Sequence, residues 1–441
     1  MVSRFIFSVL AAVTLFAAWN CAPRSLETGG DFSSFWLGAE WLRERPAETP
    51  LYYPMQDADR PNSRIWAMIR TPGGDTDALK PWYFFGRKCG VAQPKFYLYP
   101  PAFAAVFVPL TFFSEETAAR IWALLNAGAL IFSAVLIARI GNFRNAGMAA
   151  CAVLAAAMAM WPTWWALRLG QNTLLLFALW TMFAIALSKR RDVSAGIALG
   201  LLAAVKLNPL ALAAWLVFCG RWRAAVAACA VFGGSLLLGA CFIGIHGMTA
   251  YFRELLPLLA SGTHFSENQS LAALALRLNP AADPINAVPG VFDDPLPRWV
   301  AAVSLLLFAA TLLPAVLRAM KVLRDRAAVA SSENAPACEL AALILVLQII
   351  SPVSWAHYLV VNVLVLVLLF QNASARRWWA IALSAAAFVL QAIPALPFDF
   401  LNASHGRLLM SHRLFGVAML WLLAMFFALR PAFGNGNKVA A

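Results

Sequence analysis

Charge is what this chain has least of. Asp, Glu, Lys and Arg make up 12% of its 441 residues, against 62% hydrophobic residues and a mean hydropathy of +0.71. That composition excludes an ordinary soluble domain. Apolar runs of about 20 residues recur from end to end, the length a helix needs to cross a bilayer. The ~10-residue alternating segments of a transmembrane barrel are missing, and the runs are continuous and rich in Ala and Leu. An all-α polytopic membrane protein is expected. The net charge of +13 is no nucleic-acid footprint, because Lys and Arg are scattered through short loops rather than gathered on one face. The seven cysteines contain no CxxC spacing, and Cys151, Cys219, Cys229 and Cys241 lie in or beside apolar runs, where they pack as small hydrophobes. With no paired carboxylate cage either, no metal and no other cofactor is expected. Cys21 and Cys89 share the outer side, which leaves a disulfide between them open. Internal repeats and any stretch like a soluble second domain are also missing, so residues 1–441 read as one membrane domain. The sequons at Asn268, Asn372 and Asn402 match a pattern too short to carry weight.

The basic residues set the topology. Arg4 ahead of the apolar run from Phe5 to Ala22 places the N-terminus inside, and without a small-x-small cleavage site before Asp31 that run reads as a signal anchor. Later clusters (Arg139/Arg144, Lys189/Arg190/Arg191, Arg221/Arg223, Arg318/Lys321/Arg324/Arg326, Arg376/Arg377, Arg430/Lys438) put every second loop inside. Spans are expected near 5–22, 117–138, 146–164, 171–188, 193–207, 209–219, 224–245, 298–317, 338–351, 356–371, 377–394 and 413–429, about 12 transmembrane helices with both ends inside. The pair around Lys206-Leu-Asn-Pro209 is short, as a broken hairpin lining a polar cavity would be. The stretch 102–113, with Pro109 inside it, is too short to span and reads as re-entrant. Long outer segments remain at 26–98, 246–297 and 395–412. In the first, Phe32, Phe35, Trp36, Ala39 and Leu42 form one stripe of a helix over 32–45, expected to lie on the outer leaflet.

Ionisable groups at membrane depth or at its rim are costly, so each one asks for a role. Arg168 and Gln171-Asn172 close one span on the outer side, Lys206 and Asn208 flank the helix break, and His357 and His412-Arg413 open later spans. Asp31 follows Gly29-Gly30 on the same face. Asp31 is either a helix N-cap or a catalytic base. Lys206 either snorkels or meets a phosphate. His357 is a satisfied interfacial histidine or a site residue, Arg168 a loop charge, Gln171 a bond between helices. The tryptophans at 161, 164, 165, 355, 378 and 379 read as an interfacial belt.

Six motifs occur in order: Asp31-Phe-Ser-Ser-Phe-Trp with Leu51-Tyr52; Tyr99-Pro-Pro101 with Pro109-Leu110; Leu169-Gly-Gln-Asn-Thr173; Ala195-Gly-Ile-Ala-Leu-Gly with Val205-Lys-Leu-Asn-Pro209; Glu267-Asn-Gln-Ser-Leu271; and Ser351-Pro-Val-Ser-Trp-Ala-His357. Together they resemble glycosyltransferase family 87, polyprenol-phosphate-mannose-dependent membrane mannosyltransferases of the GT-C superfamily. The resemblance implies a GT-C fold, an outer-facing site and a first-loop aspartate base. Asp31 stands on that base position and His357 on the family's outer histidine. Lys206, Arg168, Gln171, Asn172, Tyr99, Asn268 and Gln269 become the substrate and donor-phosphate candidates; Glu40, Asp57 and Asp59 do not match. The chain departs from many relatives in its longer first loop, particularly 56–95, and at Lys206-Leu-Asn.

The implied reaction is transfer of a hexose, with mannose favoured, from a polyprenyl phosphate sugar to a glycolipid or glycan. It would take place at the outer, periplasmic face of a bacterial inner membrane, among membrane lipids. A lipid-linked saccharide flippase is the alternative, since broken helices beside a cation also mark transporters, but it predicts inverted repeats. A ligase joining lipid-linked glycans would rely more on arginines.

Overall fold

The computed structural model describes residues 2–27, 30–46, 51–52, 80–92, 94–141, 143–279, 296–324, 335–394 and 404–433. Among them helix dominates and no strand forms, apart from a single antiparallel bridge between Asn268 and Trp355. The middle of the first loop, with Asp57 and Asp59, lies outside the described residues, as do the Asn402 sequon, Arg326 and Lys438.

Every expected span falls on apolar helix, but the helices differ in reach. Val2–Pro23, Glu115–Ile140, Trp222–Ser261, Arg298–Lys321 and His412–Arg430 are each long and apolar enough to cross a bilayer. Ala146–Ala159 and Trp161–Leu169, joined at a 70° bend, make a sixth if taken as one broken span. The other six expected spans are helical but run to 17 residues at most. At ~1.5 Å per residue such a helix covers ~25 Å of a ~30 Å hydrocarbon layer. Helix length therefore supports five or six full spans, with the shorter helices packed among them.

Local chemistry starts these helices where the sequence allows it. Ser114 accepts from the Thr117 N–H at 3.3 Å, with Glu115 and Glu116 in the first turn, and Asn145 accepts from the Met148 N–H at 3.0 Å. The expected break at Lys206 is present: the helix Asp192–Val205 ends there in extended backbone, and a 3-10 turn at Asn208–Ala211 restarts the chain. The helix expected to stop near 245 instead continues to Ser261. It is kinked at Gly244 (φ 67°) and carries a π-helical turn at Tyr251–Leu255, so the first part of the 246–297 outer segment is helical.

In the first loop one open question is answered and one expectation is corrected. No disulfide joins Cys21 and Cys89; the Cys89 thiol lies beside Glu40 and Glu44, and burial with these two carboxylates pushes it up to about 11. The helix Phe32–Glu44 does not lie on a leaflet. Its expected apolar stripe is buried, and so are Ser33, Ser34, Leu37 and Gly38 on its other faces. The reason is the short helix Pro101–Phe112, which folds over it. Phe35 stacks on Phe107 at 5.0 Å and meets Tyr99 and Phe103 edge-on at 4.9 and 5.7 Å, while Phe107 packs on Trp122 at 4.6 Å. This aromatic cluster fixes the start of the 32–44 helix, and with it Asp31.

Candidate active site

Asp31 occupies the N-cap position of the 32–44 helix but does not cap it with its side chain. Its backbone is already helical (φ −77°, ψ −13°), and no side-chain bond reaches the first turn. The carboxylate is engaged elsewhere. Oδ1 accepts from Lys95 Nζ at 3.2 Å, and Oδ2 accepts a short hydrogen bond from Gln171 Nε2. The Asp31 N–H donates to Leu169 O at 2.7 Å, which ties the helix start to the corner 169–172. Gly170 makes that corner possible. Its φ of +65° is the left-handed region, and a Cβ there would stand 2.6 Å from Phe32 Cβ.

Asp31 opens into a cavity of about 710 Å³ that also takes in Lys95, Tyr99, Arg168, Gln171, Lys206, Glu267, His357 and Tyr358. Residues as far apart in sequence as Asp31 and Tyr358 thus line one cavity, and six of the nine candidate positions converge: Asp31, Tyr99, Arg168, Gln171, Lys206 and His357. Lys206 Nζ sits 3.3 Å from the centre of the Tyr358 ring, a cation–π contact. Arg168 lies over Trp165 at 5.8 Å, and Trp165 and Trp355, both read above as belt residues, line the cavity. His357 is 2% exposed, and neither ring nitrogen finds a partner among the described residues. A buried imidazole in that state is expensive unless something in the cavity bonds to it. The Tyr99 hydroxyl donates to Gln171 Oε1 at 3.2 Å. Burial, aided by the neighbouring Tyr358 and Asp31, holds this phenol well above its usual range, so it serves as a donor and not as a base. Arg87, Lys95, Arg168 and Lys206 face the cavity against the carboxylates of Asp31 and Glu267, and Glu267 is already paired with buried Arg413 at 2.8 Å. The balance is cationic, which suits an anionic substrate.

The other three candidates are placed elsewhere. Asn268 donates to Thr263 O and Pro352 O, both at 3.0 Å, and accepts from the Ser354 N–H at 2.8 Å. Gln269 donates to Ser266 O and Met410 O and accepts from the Leu414 N–H. Both amides are spent on backbone, locking the segment 263–270 against 352–355 and 410–414, and neither lines the cavity. Asn172 is fully buried beside the corner, with both amide atoms unpartnered among the described residues, and does not line the cavity either. Sequence reasoning missed Lys95, Tyr358 and the Glu267–Arg413 pair. Glu267 is itself a motif residue and Tyr358 follows one, so both were within reach, whereas Lys95 sits in irregular chain with no periodic signal.

A model of glycosyltransferase family 87 matches residues 97–345, more than half of the chain. The chain belongs to glycosyltransferase family 87. This family 87 protein is accordingly a membrane glycosyltransferase, with a sugar donor and an acceptor as substrates. Comparison with curated proteins and with solved structures gives no match. The matched region of the family 87 model contains Tyr99, Arg168, Gln171 and Lys206, and leaves out Asp31, Lys95 and His357. Those three enter the site on geometry.

Proposed function

We propose that this glycosyltransferase has the GT-C fold, sits in a bacterial inner membrane as one domain of about 12 membrane-embedded helices, of which five or six are long enough to cross unaided, and acts at the outer, periplasmic face. It moves a hexose, in our reading mannose, from a polyprenyl phosphate sugar to a hydroxyl of a glycolipid or glycan. The acceptor oxygen attacks the anomeric carbon as the bond from that carbon to the phosphate oxygen breaks, and Asp31 takes the hydroxyl proton. One displacement inverts the configuration. The arrangement follows an inverting glycosidase, in which a base activates the nucleophile opposite the leaving group. Here the leaving group departs as a phosphate anion, so a general acid is not required. Lys206 and Arg168 offset the charge that develops on it, in a site partly shielded from water where such interactions strengthen. His357 holds the acceptor or the phosphate through its two ring nitrogens, which have no partner among the described residues.

One observation carries the reading: the Asp31 carboxylate opens into the same cavity as Arg168, Lys206 and His357. Its volume of about 710 Å³ falls in the range of small-ligand sites. The test is label transfer by membranes containing the overexpressed protein, given either polyprenyl phosphate mannose or nucleoside diphosphate mannose, with control membranes beside them. Protein-dependent labelling of extracted lipid or glycan from the polyprenyl donor alone is expected. Labelling that depends on the nucleotide sugar as direct donor would overturn the donor assignment.

A further inference from the structure

Lys95 lies outside every motif and outside the family match, yet it is the described cation that touches Asp31. The segment 94–100 that carries it is anchored along its length. Trp82 Nε1 donates to Lys95 O at 3.1 Å and Tyr52 OH to Tyr99 O at 2.6 Å, while Tyr97 OH braces the segment internally on Pro100 O at 2.9 Å. Glycines at both flanks let it lie close. A Cβ on Gly86 would stand 2.6 Å from Pro94, and one on Gly38 would stand 2.6 Å from the Tyr97 ring. This strap reaches Asp31 by two arms: Lys95 binds Oδ1 directly, and Tyr99, four residues on, bonds to Gln171, which binds Oδ2. Each carboxylate oxygen keeps a second lone pair for an incoming hydroxyl.

We propose that Lys95 is a positioning residue for the reaction, holding the Asp31 carboxylate in register from one oxygen while the Tyr99–Gln171 arm holds the other. The inference rests on the reading of Asp31 as the base. Both side chains are partly exposed, at 28% and 31%, and both line the cavity, so the pair faces the site and not the packed core. Nor is Lys95 needed to close a charge network, since Asp31 is its one ion-pair partner among the described residues.

The test uses the full-length protein in membranes with polyprenyl phosphate mannose as donor. Lys95→Met is expected to lower kcat by about 10- to 100-fold, as small misplacements of a reacting group do, with KM for the donor changed less than about threefold. Lys95→Arg should recover most of the loss, because a guanidinium still reaches the carboxylate. A raised donor KM at unchanged kcat would overturn the proposal and make Lys95 a phosphate-binding cation. A second measurement does not depend on turnover: the rate at which acetic anhydride modifies Lys95, followed by mass spectrometry of wild type and Asp31→Ala. Acetylation severalfold faster in Asp31→Ala is expected. Equal rates would show that the contact does not hold, and would sink the proposal even if the donor is wrong. Loss of transfer in Asp31→Asn with normal transfer in Lys95→Met would reject the positioning role and leave the base intact.

Discussion

Replacing Gly170 by alanine adds one methyl group where the start of the 32–44 helix meets the corner that carries Gln171. Its φ of +65° costs a residue with a side chain about 1–2 kcal/mol. The new Cβ would also stand 2.6 Å from Phe32 Cβ, so something must move by roughly 1 Å to restore ordinary carbon contact. Phe32 cannot swing aside, because its Cβ is fixed to the helix and its ring packs edge-on against Phe107. Overpacking of this kind costs about 1–3 kcal/mol, which brings the expected loss to about 2–5 kcal/mol. Two other glycines separate the contributions. Gly220 has φ +71° and open space around its absent Cβ, so Gly220→Ala should lose only the backbone share of about 1–2 kcal/mol. Gly128 is helical and also open, so Gly128→Ala should be neutral or stabilising by up to about 1 kcal/mol. Unfolding midpoints in a denaturing-detergent titration should rank Gly128→Ala at or above wild type, then Gly220→Ala, then Gly170→Ala. Because Phe32 follows Asp31, the same shift should separate Asp31 from Gln171 and cut transfer by about 10²-fold. A Gly170→Ala protein as stable as Gly220→Ala, with full transfer, would refute the close packing of this corner.

Three further outcomes separate site residues from structural ones. His357→Leu should change stability by less than about 1.5 kcal/mol, since the swap nearly conserves volume and the imidazole has no hydrogen-bond partner among the described residues to lose, while transfer falls at least tenfold; a large drop in the unfolding midpoint would make His357 structural. Asn268→Ala should cost about 3 kcal/mol, roughly 1 for each of its hydrogen bonds to Thr263, Pro352 and Ser354, and a well-expressed, stable variant would contradict its role as a lock. Arg413→Met leaves the Glu267 carboxylate buried without its cation and should cost about 3–5 kcal/mol, with part of the loss recovered in the double variant carrying Glu267→Gln.

The apolar runs were legible because each is a local property, and most helices fall within a few residues of where hydropathy put them, the one running on to Ser261 being the exception. What hydropathy could not supply is reach: 15 apolar residues such as Trp378–Ala392 read as a span in sequence but form a helix too short to cross unaided. The stripe Phe32, Phe35, Trp36, Ala39 and Leu42 was legible as an apolar face. Its covering was not, because the helix 101–112 that buries it lies about 70 residues away in sequence. Asp31 looked like a cap for the same reason. Its two partners, Lys95 and Gln171, are 64 and 140 residues distant, and no local pattern announces them. Asn268 and Gln269 stood out as polar groups in an apolar chain, yet such a group marks either a ligand or a lock. Only their backbone partners at 352–354 and 410–414 decide between the two.

The most direct test of the central claim is transfer of radiolabelled mannose from polyprenyl phosphate mannose by membranes containing wild type or Asp31→Asn at equal expression. The Asp31→Asn side chain keeps the shape and can still accept from Lys95 or Gln171, but it cannot take up the acceptor's proton. Transfer by the wild type and a loss of at least about 10²-fold in the variant are predicted, the share a general base commonly supplies. Equal transfer by both would contradict the account and leave Asp31 a structural link between the 32–44 helix, Lys95 and Gln171.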